Sequence, residues 1–104
     1  MLNQVILVGT LIDNPKLTRT PDGRKKIIIT LAIQRGFKNA ESGEYDTDNI
    51  KCVLWSGIAE NTVEYCKKGA TVGVKARLQQ SPNGVHMEVI AEKITFINTK
   101  QDED

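Results

Sequence analysis

Apolar and polar residues alternate with a period of two along most of this chain, the mark of strands whose two faces meet different surroundings. The first run, Asn3–Ile12, is apolar on both faces: Val5, Leu7 and Leu11 point one way, Ile6, Val8 and Ile12 the other. One side is expected to join the core and the other to be covered by a second subunit, because apolar surface without a partner marks an interface. Gly9 inside this run signals a bulge or a close backbone approach. Asp13–Lys16 reads as a turn, Leu17–Thr20 as a short strand, and Pro21-Asp22-Gly23 as a second turn. Arg24–Gln34 is a long strand with Ile27, Ile29, Leu31 and Ile33 toward the core and Lys26, Ile28, Thr30, Ala32 and Gln34 on the more polar face. A polar loop, Gly36–Asp46, follows with Ser42-Gly43 at its tip.

The period changes once. Between Thr47 and Gly69 the chain opens as a strand, with Ile50, Cys52 and Leu54 on the core face and Asn49, Lys51, Val53 and Trp55 on the other. After Trp55, Ile58, Ala59, Thr62, Val63 and Cys66 recur at helical spacing. Ser56 is the expected N-cap, Lys67 and Lys68 fall in the expected last turn, and Gly69 supplies the stop. Alternation then returns over Ala70–Gln80, with Val72, Val74, Ala76 and Leu78 inward and Thr71, Gly73, Lys75, Arg77 and Gln79 outward. A tight turn at Ser81–Gly84 leads into Val85–Ile97, whose pattern slips near Ile90–Ala91, as a bulge would make it. The plan is β-β-β-α-β-β. That predicts an all-β OB-fold, a five-stranded Greek-key barrel with one helix between the third and fourth strands. Residues 1–98 form the expected domain, and 99–104 a disordered acidic tail.

Composition narrows the chemistry. Of 104 residues, 39% are hydrophobic and 26% charged, ordinary for a single globular domain, and no apolar run is long enough to cross a membrane. No signal peptide is read at the N-terminus, and Cys52 and Cys66 lack metal-site spacing, so a reduced, cytoplasmic protein is expected. With one histidine, His86, a triad or multi-histidine metal site is unsupported; no catalytic residue, cofactor or metal is predicted. Asp102, Glu103 and Asp104 close the chain, leaving 14 basic and 10 acidic side chains in the rest. That mild bias fits nucleic acid and a plain solvated surface equally well. Position says more. Trp55, the only tryptophan, shares a strand face with Lys51, which suits stacking on a flat partner; packing under a loop is the alternative. Phe37, between Arg35 and Lys38, either stacks in the same way or closes the end of the core. The Arg24-Lys25-Lys26 cluster reads first as a solvated strand end.

Asn3–Leu11, Asn14-Pro15, Ile29–Phe37 and Ile50–Gly69 together resemble the bacterial single-stranded DNA-binding proteins, over nearly the whole chain and in the same order. The resemblance implies an OB-fold that wraps single-stranded DNA without strong sequence preference and serves replication, recombination or repair. It implies a homotetramer, with a dimer as the alternative, and contacts to replication or repair proteins. Phe37 and Trp55 occupy positions of base-stacking aromatics in that family. Arg35, Lys51, Lys75, Arg77, Lys26 and Gln79 complete the predicted nucleic-acid-binding set, the cations to neutralise phosphates. Departures stand beside the matches. Asn49 replaces a third aromatic, the connection at Ser81–Gly84 lacks a fourth, Gln79 and Ser81 stand where arginine is frequent, and the acidic end lacks the family's Pro-Phe tip. A reduced member of the family is therefore expected. The trimmed last hairpin also resembles primosomal replication proteins, dimeric OB-fold adaptors that join helicase-loading partners on DNA.

Overall fold

The computed structural model describes residues 1–99. The expected acidic tail, 99–104, lies outside the described residues apart from Thr99. Six strands and one helix follow in order: β1 (Val5–Leu11), β2 (Thr18–Arg19), β3 (Lys25–Lys38), β4 (Tyr45–Trp55), α1 (Ser56–Tyr65), β5 (Thr71–Gln80) and β6 (Met87–Asn98). They lie in the order β1-β5-β6-β4-β3-β2, and a further pairing of β1 with β3 closes five long strands into a barrel. All pairs are antiparallel except β4–β6, where Cys52 and Val53 meet Val89 and Ile90 in parallel. This is the predicted OB-fold.

Alternation sorts the side chains as read. Leu11, Ile27, Ile29, Leu31, Cys52, Leu54, Val72 and Val74 fill the interior, and Ala59 and Cys66 of the helical stripe plug it. Ile6 and Val8, on the other face of β1, stay exposed. Two assignments shift, one inward and one outward. Leu78 lies past the barrel's covered end and is exposed, whereas Val53, on the outer row of β4, is only 5% exposed. The Val53 side chain lines a groove together with Ile28, Met87 and Val89.

Gly9 marks a close approach. It lies where β1 passes from β5 to β3, and a Cβ there would stand 2.7 Å from Ile33 Cγ1 and 2.9 Å from the Ala32 carbonyl oxygen. The slip read near Ile90–Ala91 falls at Glu92: Lys75 pairs with Lys93 but Ala76 with Ala91, leaving Glu92 as the extra residue. The Asn14-Pro15 turn is pinned by Asn14 Oδ1, which accepts the Lys68 backbone N–H at 2.7 Å.

Three boundaries differ from expectation. β3 runs on through Arg35 and Phe37 to Lys38, with an irregular register between Gln34 and Lys38, so Gly36 interrupts the strand pattern without ending the strand. Lys67 and Lys68 follow the helix rather than close it. Ser56 is not the cap: Trp55 holds the extended N-cap position without a side-chain hydrogen bond, and Ser56 is already in the helix at φ 49°. A left-handed conformation costs a residue with a Cβ about 1–2 kcal/mol. Ser56→Gly is therefore expected to stabilise the fold, by about 1 kcal/mol after the added freedom of the unfolded chain is deducted. A shift of the urea midpoint to higher concentration is the readout.

Burial raises the Cys52 thiol from its ordinary 9.0 to about 11 and raises Cys66 in the same direction. Above pH 9 the unfolded chain sheds these protons while the folded chain keeps them. The unfolded state then binds fewer protons, and stability falls as pH rises. Full stability is expected below about pH 9 and progressive loss toward pH 11. Thermal midpoints across that window should drop less in Cys52→Val than in the unmodified chain.

Candidate nucleic-acid interface

The outer face of the β3–β4 pair is laid out by register. Lys26 lies opposite Trp55, Ile28 opposite Val53, and Thr30 opposite Lys51. Each pair shares one face, so a row of cation, ring, aliphatic and cation side chains crosses the barrel.

Trp55 is half-buried. The Arg24 guanidinium carbon lies 4.5 Å from its ring centroid and Lys26 Nζ 5.2 Å, both within cation–π range. Arg24 is steadied by Asp22, Nε to Oδ2 at 3.0 Å. The Thr20 hydroxyl donates to Asp22, and together with Arg24 it holds that carboxyl below the usual carboxylate range. The basic cluster is thus more than a solvated strand end: Arg24 and Lys26 meet Trp55, and Lys25 pairs with Glu60 at 3.1 Å. Around the ring runs a groove that also takes in Arg77, Gln79 and Glu88, with buried Ile90 in its floor. Arg77 donates to Gln79 Oε1 at 2.9 Å and reaches Glu92 at 3.5 Å.

Two further grooves join this one. The first shares Glu88 and continues past Ile28, Lys51, Val53 and Met87. The second shares Lys26 and is lined by Lys16, Arg19 and Lys68 against the single acid Asp13. Of the residues expected to bind nucleic acid, Trp55, Lys26, Arg77 and Gln79 line one groove, and Lys51 lines the adjoining one.

The other three stand apart. Phe37 is 68% exposed, next to the loop that joins β3 to β4, so it does not close the core. Arg35 beside it is engaged: its Nε and Nη2 each lie 3.0 Å from Asp48 carboxylate oxygens, and Nη1 lies 3.8 Å from Asp46. That pairing keeps Asp48 below its ordinary range, and a phosphate would have to compete with it. Lys75 stands in register with Ile6 and Lys93, on the apolar side of the barrel. Lys16, Arg19 and Tyr45 were not singled out by residue type, and Arg24 only as part of the basic cluster at the start of β3. Tyr45 is exposed, with Lys38 Nζ 5.8 Å from its ring centroid, and the only signal for it was an aromatic placed opposite the end of the preceding strand. His86 is an exposed residue, and no group of three metal-ligating side chains exists among the described residues. No helix there is long and apolar enough to cross a membrane.

A small barrel with a ring in a cation-lined groove across its strand face is an oligonucleotide-binding OB domain in form. The single-strand binding protein family model matches residues 2–97. Single-stranded DNA-binding protein B of Bacillus subtilis is 44% identical, over 96% of this chain and 94% of its own. Single-stranded DNA-binding protein A of the same organism is 42% identical, over 96% of this chain but only 62% of its own. The crystal structure of the wild-type single-stranded DNA binding protein from Thermus aquaticus aligns with a TM-score of 0.78 at 27% identity, over 95% of this chain and 52% of that one. The chain therefore spans about half of that solved protein. It belongs to the single-strand binding protein family, which favours that reading over the primosomal adaptor.

Proposed function

We propose that this protein binds single-stranded DNA without strong sequence preference, as a binding module rather than an enzyme, in the cytoplasm and in support of replication, recombination or repair. The observation that carries the reading is Trp55 in a groove with Arg24, Lys26 and Arg77. Every base has a π face, so a ring among cations stacks bases whatever their sequence, while the cations meet the phosphates. Lys51 extends the track along the strand face.

Oligomerisation follows from the opposite side of the barrel. Ile6, Val8 and Ile97 are exposed there around Gly73, whose Cβ position lies 3.9 Å from both Val8 and Ile97 side-chain carbons. A second copy of the chain covers such a stripe by pairing like surface with like. Mass in solution separates the expected homotetramer from a dimer.

The test is a titration with oligo-dT at rising salt, following Trp55 emission. Quenching at low salt is expected, with affinity falling as salt rises by a log–log slope of about −0.7 per phosphate neutralised. Unchanged emission, with no oligonucleotide bound at low salt, removes the reading.

A further inference from the structure

The groove beyond Trp55 carries no Trp, Tyr or Phe; its one ring is the exposed imidazole of His86, and the rest of its make-up is not that of a solvated strand face. Ile28 is 53% exposed and Met87 54% exposed, and between them Val53 forms a floor that is only 5% exposed. Lys51 stands on the rim, and Glu88 joins this groove to the one around Trp55. Val53 and Trp55 lie two positions apart along β4, a distance of about 6.7 Å. That is about twice the 3.4 Å spacing of successive nucleotides along one strand of stacked duplex. An unstacked, extended strand has the reach to lay one base on Trp55 and its neighbour over Val53, with Lys51, two residues beyond Val53, beside the phosphate on the far side of that second base.

We propose that Ile28, Val53 and Met87 form a second base seat, an aliphatic shelf that takes a nucleobase face of the same single strand next to the one on Trp55. The proposal rests on the single-stranded DNA reading above. Its occupant is a base rather than a peptide because the shelf is continuous with the Trp55 groove and carries a cation at phosphate distance along the row. Aliphatic contact is weaker than ring stacking: covering about 40 Å² of apolar surface corresponds to about fivefold in affinity.

The experiment moves the reporter. In a Trp55→Phe, Met87→Trp double variant the only tryptophan sits on the shelf. Binding of a fluorescein-labelled oligo-dT is followed by anisotropy, and tryptophan emission is followed separately with unlabelled oligo-dT. Quenching in step with anisotropy is the expected result. Anisotropy that saturates while the emission stays unchanged overturns the shelf and leaves the Trp55 reading standing. Failure of the unmodified protein to bind the labelled oligonucleotide overturns both, and is seen before the variant is made. Ile28→Asp in the otherwise native chain gives a second, independent check. It is expected to weaken oligo-dT binding by about fivefold or more, since it replaces apolar contact with a carboxylate facing phosphates. Unchanged affinity counts against the shelf, as does an affinity loss matched by capture of an apolar peptide at the same groove.

Discussion

Trp55→Ala is expected to weaken oligo-dT binding by about 5- to 150-fold per site, the equivalent of about 1–3 kcal/mol for one stacked base. The loss has two parts. The ring is a stacking platform, and it is also the surface on which Arg24 and Lys26 are held at 4.5 and 5.2 Å. Without it, both side chains gain freedom and must be ordered again when a phosphate arrives. Trp55→Phe keeps a ring and should recover most of the affinity. Arg24→Ala should leave stacking in place while reducing the salt slope by about 0.7, one phosphate contact on single-stranded DNA. Equilibrium anisotropy at several salt concentrations separates these outcomes. Equal affinity for Trp55→Ala and the unmodified chain would mean that the ring is not a platform.

Gly9→Val is expected to destabilise the fold by about 3 kcal/mol, the upper end of the usual overpacking range, with Gly9→Ala falling between it and the unmodified chain. The added Cβ would meet the Ala32 carbonyl oxygen at 2.9 Å as well as the end of Ile33. A side chain can turn away, but the carbonyl belongs to the strand that closes the barrel: Thr10 pairs with Ala32 and Leu11 with Leu31. Relief therefore requires β1 to back out of that pairing. Denaturant unfolding measures the loss; a variant as stable as the parent would show that β1 and β3 sit farther apart than this geometry holds.

Much of the barrel was legible because alternation is a local signal. Ile27, Ile29 and Leu31, and again Cys52 and Leu54, lie two residues apart and face inward together. The glycine at position 9 reads from the sequence as either a bulge or a close approach, and the contacts its Cβ would make show it to be the close approach. What escaped were relations set by register between distant segments. Arg24 and Lys26 looked like a strand end because nothing near them in the chain shows that Lys26 falls opposite Trp55. Arg35 looked free because Asp48, which holds it, lies 13 residues away across the hairpin. Ser56 reads as a cap because residue type shows hydrogen-bonding capacity but not φ. The end of β3 was missed because Gly36 weakens the strand pattern where β3 continues as far as Lys38.

The double engagement of β1 bears on how the molecule is made. Its partners are β5, which begins at Thr71, and β3. At about 5–20 residues per second of synthesis, β1 waits on the order of several seconds for β5 to appear. Throughout that interval the core-facing Val5, Leu7 and Leu11 lack the cover that β5 brings, and the ring of strands cannot shut before β5 and β6 have been made.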